Sequence, residues 1–260
     1  MRILMTPPDY FTVSYSINAW MHTDDPVDTA KARLEWQSLK ETYDRLGWPV
    51  ELTTPAPGLA DMVFATDCGL VLDGKVLLGR FRYPERQPET EQYHTWFAAH
   101  GFPEVHQSTH YLEGGDNLAC GNKIFAGHGF RSDPAAADEL RQYFGREVVP
   151  LKLIDPLLYH LDTALGVLSA EAVACYLPAF DAASQARLRA AVPRLIEVTR
   201  DEALSFALNL VSDGQTIITS DESPSLLQKY TDGGFQVIAL PISEFKKSGG
   251  GVHCLTLELG

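Results

Sequence analysis

Short apolar runs joined by tight turns alternate along this chain with longer stretches whose apolar positions recur every three or four residues. Residues 64–71 read as a strand, Asp73-Gly74 as a hairpin turn and residues 75–79 as the returning strand. The unit recurs at residues 118–120 and 123–126 around Gly121-Asn122, at 165–168 and 172–176, and at 206–211 and 215–219 around Asp213-Gly214. Between the hairpins lie helices. Residues 30–46 put Trp36, Leu39, Tyr43 and Leu46 on one face and stop at Gly47, while Tyr93, Trp96 and Phe97 mark a second face. Asp133-Pro134 supplies a cap and a first-turn proline for a helix ending before Gly145. The aromatic stripes read as helix-to-sheet packing rather than a cofactor box. Extended segments follow the helices at residues 50–53, 147–150 and 236–240.

A period runs through this pattern. Polar residues in apolar surroundings at Asn18, Asp67, Asp116, Asp162, Asn209 and Thr256 divide the chain into five intervals of 46 to 49 residues. The expected fold is α/β: five strand-strand-helix-strand (ββαβ) units closed into a five-bladed propeller, a single domain over residues 1–260 with no linker between units. Closure ties the last unit to the first, so residues 2–5 are expected to complete the unit containing residues 255–259.

Composition narrows the function classes. The chain is 45% hydrophobic and 21% charged, ordinary for a globular protein. Its longest apolar runs fall far short of the roughly 18 residues of a spanning helix, so no membrane partner is expected. A net charge of −13 repels phosphate, and nucleic acid is not an expected partner either. The opening Met-Arg-Ile-Leu-Met-Thr-Pro-Pro does not read as a signal peptide. Cys68, Cys120, Cys175 and Cys254 lie far apart without C-x-x-C spacing, which fits free thiols in a reducing, cytoplasmic setting.

Four segments carry more polar chemistry than packing requires: residues 61–67, Glu113-Gly-Gly-Asp116, His160-Leu-Asp-Thr163 and Gly249-Gly-Gly-Val-His-Cys254. They fall at equivalent places in different units, hence near one axis. Cys254 reads either as a buried strand cysteine or as a nucleophile whose thiolate an imidazolium favours. The other three cysteines read as small core residues. His160, at the start of a hairpin strand with Asp162 beside it, is suited to giving a proton to a leaving amine and taking one from water. His253 points to the opposite face if its segment is extended, and receives no role. Asp61, Asp67 and Glu113 read singly as salt-bridge residues. Gathered at one mouth they repel one another unless a cation sits between, and a guanidinium with its several donors suits such a clamp.

The order Glu113-Gly-Gly-Asp, His160-Leu-Asp-Thr and Gly-Gly-Val-His-Cys254 resembles the guanidine-modifying superfamily with the pentein fold, in which five ββαβ units surround a central site. Within it the chain looks most like the dimethylarginine dimethylaminohydrolase family, over essentially its whole length. The resemblance implies that Cys254 is the nucleophile, His160 the proton donor and Glu113 the partner that holds and polarises it. It also implies that Asp67 binds the guanidinium, that Asp61 lies near the amino-acid end of the substrate, and that Arg80 and Arg131 pair with its carboxylate. It calls for a small-molecule guanidino substrate, no metal and no cofactor, and leaves a homodimer possible. Two departures stand out. Many members carry Glu-Asp where this chain has Thr66-Asp67, and the opening segment resembles the arginine dihydrolase branch, where Asn18 has a counterpart. That branch places Asn where this chain has Asp67.

The expected reaction is hydrolysis of a methylated arginine to citrulline and a methylamine through a covalent thiouronium adduct. The rivals are arginine deiminase or dihydrolase action on unmethylated arginine, amidino transfer, and a catalytically silent pentein that binds a protein or ribosome. Long bacterial arginine deiminases carry an inserted helical domain for which this chain has no room.

Overall fold

The computed structural model describes all residues, 1–260, and its strands form five three-stranded sheets. In four of them a hairpin is followed by a crossover to a third strand parallel to the second. These are Gly69–Leu72, Lys75–Leu78 and Glu104–Gln107; Asn117–Cys120, Lys123–His128 and Glu147–Lys152; Leu165–Ser169, Ala172–Cys175 and Arg194–Glu197; and Val211–Ser212, Thr216–Ser220 and Gln236–Leu240. A turn of two or three residues can only reverse the chain, whereas a parallel return needs a longer crossover, so each unit alternates the two pairings. Asp73 and Gly74 adopt φ of 53° and 75°, as a tight type I′ hairpin requires. Both ends of the chain make the fifth sheet. Leu257–Glu258 runs antiparallel to Ile3–Met5, Ile3 facing Glu258, and Ile3–Met5 pairs in parallel with Val50–Leu52. The architecture is the five-bladed α/β pentein propeller.

Helices cover the outside. Thr29–Arg45 starts where the Asp28 carboxylate accepts the N–H groups of Ala30 and Lys31, and it buries Trp36, Leu39 and Tyr43 in a cluster with Ile3, Met5 and Leu255. Ala136–Phe144 begins later than Asp133-Pro134 suggested. The Asp133 carboxylate instead accepts from Arg82 and from the Tyr111 N–H.

Three sequence expectations change around the axis. Residues 64–71 are not one strand: Ala60–Val63 and Ala65–Cys68 are 3-10 turns, and the strand begins at Gly69. His160 precedes a one-turn helix, Leu161–Ala164, rather than opening a strand. Asn18 is not a repeat position but lies in an irregular segment, whereas Asp67, Asp116, Asp162, Asn209 and Thr256 each fall just ahead of, or within the turn ahead of, a unit's first strand. Tight turns bring these buried polar side chains to partners that a strand facing apolar neighbours would deny them. The result is a belt from unit to unit. The Gly115 N–H donates to Asp67 Oδ1 (3.2 Å), the Leu161 N–H to Asp116 Oδ1 (3.0 Å), and Asn209 Nδ2 to the Asp162 carbonyl (3.3 Å). The Cys254 N–H donates to Asn209 Oδ1 (3.0 Å), and the Thr66 N–H to the Cys254 carbonyl (3.2 Å) closes the ring.

Candidate active site

The belt holds the chemistry. Cys254 lies in a turn, with the Leu255 N–H donating to the Gly251 carbonyl (3.1 Å), not in a strand. Its Sγ lies 3.0 Å from Asn209 Nδ2 and 3.4 Å from Asp162 Oδ2, so its hydrogen-bond partners are an amide and a carboxylate rather than an imidazole. Burial, then the charges of Asp162 and Asp67, push the thiol pKa well above its usual value, and the resting sulfur is protonated.

His160 is fully buried beside two carboxylates. Its Nε2 lies 3.0 Å from Glu113 Oε2 and its Nδ1 3.5 Å from Asp67 Oδ1, with no hydrogen bond at Nδ1. Burial alone lowers an imidazole pKa, but the charge of Asp67 and the hydrogen bond to Glu113 outweigh it and raise His160 to about 9. Glu113 is itself held well below the usual carboxylate range. Burial opposes this, and the Arg131 guanidinium at 2.7 Å together with His160 overcomes it. The two glycines of Glu113-Gly-Gly-Asp116 explain the crowding. A Cβ on Gly114 would overlap the Thr66 carbonyl, and one on Gly115 would sit 2.8 Å from both Asp67 Oδ1 and His160 Nδ1.

Arginines hold the remaining charge. Arg86, buried, donates from Nη1 to Asp67 Oδ2 (2.6 Å), forms a two-pronged pair with Glu89, and reaches the Asp61 carbonyl (3.1 Å). Arg131 also donates to the Ile17 carbonyl (3.2 Å) and lies against the rings of Tyr83 and Tyr159. Asp61 accepts from Tyr15 Oη and Ser248 Oγ, both at 2.9 Å, and its pKa is raised, chiefly by burial. Asn18 donates to the Ser248 carbonyl (3.0 Å).

Of the residues singled out in the sequence, Cys254, His160, Glu113, Asp67, Asp61, Arg131 and Asn18 belong to this connected network. Arg80 does not. It is exposed and donates to the Thr109 carbonyl beside the Tyr111 ring, whereas Arg86 is the arginine buried against Asp67. Thr66 meets the network through its backbone, its N–H donating to the Cys254 carbonyl. With Asp162 and His253, it borders an axial cavity walled by the first strands of the units. Arg86, Asp162 and His253 also join the network, and the sequence assigned a role to none of them. Arg86 sits among the ordinary surface-type residues Pro84-Glu85-Arg86-Gln87, and only the fold turns it inward. Asp162 was visible as a repeat position. Asp67, Glu113 and His160 offer donor atoms within 4.8 Å of one another, the grouping most suited to a metal, yet Arg86 and Arg131 already engage the two carboxylates.

A thiol, an imidazole and buried carboxylates at the hub of five ββαβ blades define a guanidine-modifying pentein enzyme. Comparison narrows the class. A profile described as "N,N dimethylarginine dimethylhydrolase, eukaryotic" matches residues 7–260. The chain is 41% identical to the N(G),N(G)-dimethylarginine dimethylaminohydrolase of Mycobacterium tuberculosis, covering 99% of this chain and 85% of that protein. It is 38% identical to the bifunctional arginine dihydrolase/ornithine cyclodeaminase ArgZ of Synechocystis sp., covering 100% of this chain and 38% of that protein. The crystal structure of the ArgZ N-terminal domain bound to substrate superposes with a TM-score of 0.94, covering 99% of this chain and 97% of that one. A dimethylarginine dimethylaminohydrolase from Pseudomonas aeruginosa, 21% identical with a TM-score of 0.82 over 98% of each chain, shares the fold. The chain belongs to the dimethylarginine dimethylaminohydrolase family and is a hydrolase acting on guanidino groups.

Proposed function

We propose that the chain hydrolyses an N-omega-methylated arginine to citrulline and a methylamine through a covalent adduct on Cys254. The observation carrying this reading is the buried set of Cys254, His160, Asp67 and Glu113. Anionic side chains crowd a neutral thiol there, as a site for a cationic electrophile requires. A guanidinium entering beside Asp67 brings a positive charge that favours the thiolate, and Sγ attacks the guanidinium carbon. The imidazolium of His160 protonates the departing amine. Now neutral, it takes a proton from the water that attacks the thiouronium carbon, and the tetrahedral centre collapses to thiolate and citrulline as its hydroxyl proton passes to solvent, where the freed amine takes it up. Arg131, buried against the Tyr83 and Tyr159 rings, supplies charge for the substrate carboxylate, and Asp61 takes its ammonium. Four unpaired cysteines support a reducing, cytoplasmic setting.

The arginine dihydrolase reading has its own support, since Asn18 joins the site through Ser248 and the ArgZ relative is named for that activity. Asp67 favours the first reading. The test supplies arginine, monomethylarginine, asymmetric dimethylarginine and agmatine, and identifies both products. Citrulline with dimethylamine is expected. Ornithine with ammonia from arginine would replace this reading by the dihydrolase, and citrulline from arginine alone by a deiminase.

A further inference from the structure

Asp162 breaks the rule of the belt. Asp67, Asp116 and Asn209 each accept a backbone N–H from the next unit with their side chains, and the Asp162 carboxylate accepts none. Its Oδ2 instead meets the Cys254 thiol at 3.4 Å and His253 Nδ1 at 2.9 Å, and its Oδ1 is buried without a partner. Cys254 and His253 are adjacent in sequence and would face opposite ways in a strand. The turn closed by the Thr256 N–H to the His253 carbonyl (2.9 Å) makes both converge on this one carboxylate.

We propose that His253 is the acceptor of the Cys254 thiol proton, reached through Asp162, and that it holds the proton at the axial cavity, away from His160. The proposal rests on the covalent reading of Cys254. The S–H bond breaks with its electron pair left on sulfur. The proton crosses the Asp162 carboxylate, and water in the cavity that Asp162 and His253 both line carries it to Nε2 of the neutral imidazole. Nδ1–H stays on Asp162, and the resulting charges are thiolate, carboxylate and imidazolium. When the adduct is hydrolysed, the same path returns the proton to sulfur.

The cavity measures about 110 Å³, room for several waters, and Glu258 and Asn117 also line it. The ionisable groups acting on His253 are Asp162, Glu258 and Asp67, and those on the thiol are Asp162 and Asp67, all of them acidic side chains. Burial works against an imidazolium at His253. The hydrogen bond and charge of Asp162, helped by Glu258 and Asp67, prevail and raise its pKa. Two imidazoles also resolve a conflict, because His160 has to keep its proton for the departing amine and cannot take the one from the thiol.

His253→Gln keeps an N–H for Asp162 but cannot hold the proton. The readouts are the iodoacetamide alkylation rate of Cys254 against pH in the unliganded protein, with Cys254→Ser as the blank, and the pH profile of kcat/KM. The thiol's apparent pKa should rise by a unit or more, slowing alkylation near neutrality about tenfold per unit, and the rising limb of kcat/KM should move with it. A folded His253→Gln protein whose alkylation profile superimposes on the wild type overturns the proposal; if that variant does not fold, His253→Asn is judged by the same criterion. Alkylation needs no substrate. A shifted alkylation profile in a protein that turns over no guanidino compound would uphold the relay and sink the functional reading.

Discussion

The sulfur of Cys254 is buried and crowded by the Asp162 and Asp67 carboxylates, which disfavour its thiolate. Cys254→Ser should lower kcat by at least about three powers of ten, since an alcohol is hardly ionised where a paired thiolate can be. Circular dichroism should be unchanged, and a folded serine variant retaining a tenth of the rate would remove the covalent step. His160→Gly should still form adduct slowly but release it far more slowly, because no imidazole is left to activate water. Mass spectrometry after mixing with substrate should show the trapped protein, and prompt citrulline release would assign the proton transfer elsewhere. The same imidazole links pH to stability. Its folded pKa of about 9 exceeds the ordinary 6.5, so its contribution is fully present below pH 6.5 and is lost as pH rises through 9. Urea melts of wild type and His160→Asn should therefore converge by roughly 3 kcal/mol between pH 6.5 and 9. Parallel curves would refute the raised pKa.

At the scale of elements, the turns ahead of the first strands decide which side chains meet. Glu113-Gly-Gly-Asp116 passes so close to the first and third units that no side chain fits at either glycine. Gly115→Ala should cost about 1–3 kcal/mol by forcing Asp67 and His160 apart. It should lower kcat more than it raises KM, as read from a urea melt and steady-state kinetics, and wild-type values for both would show that the approach is looser. The glycines and the acidic ends of this motif were legible in the sequence. The turns themselves were not, because residues 64–71 have the apolar pattern of a strand, and only the packing of Thr66 and Asp67 against the neighbouring units bends them.

At the scale of the whole molecule, the two ends of the chain meet in the fifth sheet through one short pairing, Leu257–Glu258 against Ile3–Leu4. Deleting residues 257–260 removes that strand and exposes the sites of Leu257 and Leu259, each only 3% exposed, at a cost of about 5 kcal/mol in lost burial. Such a loss approaches the total stability of many domains. The truncated chain should melt without a cooperative transition, and a wild-type urea midpoint would show that the ring holds without its closing strand. The sequence by itself determined the five-fold period, the ββαβ unit, the closing partnership of the two ends, and the motifs bearing Cys254, His160 and Glu113, because these follow from local periodicity and residue chemistry. Only the tertiary structure decided that Arg86 rather than Arg80 is buried beside Asp67, that Thr66 meets the network through its backbone, and that His253 shares a carboxylate with Cys254. Arg80 and Arg86 carry the same charge six residues apart, and neighbouring side chains in a turn diverge or converge according to a few backbone angles. Those angles are set by contacts with units some fifty residues away, which no local pattern encodes.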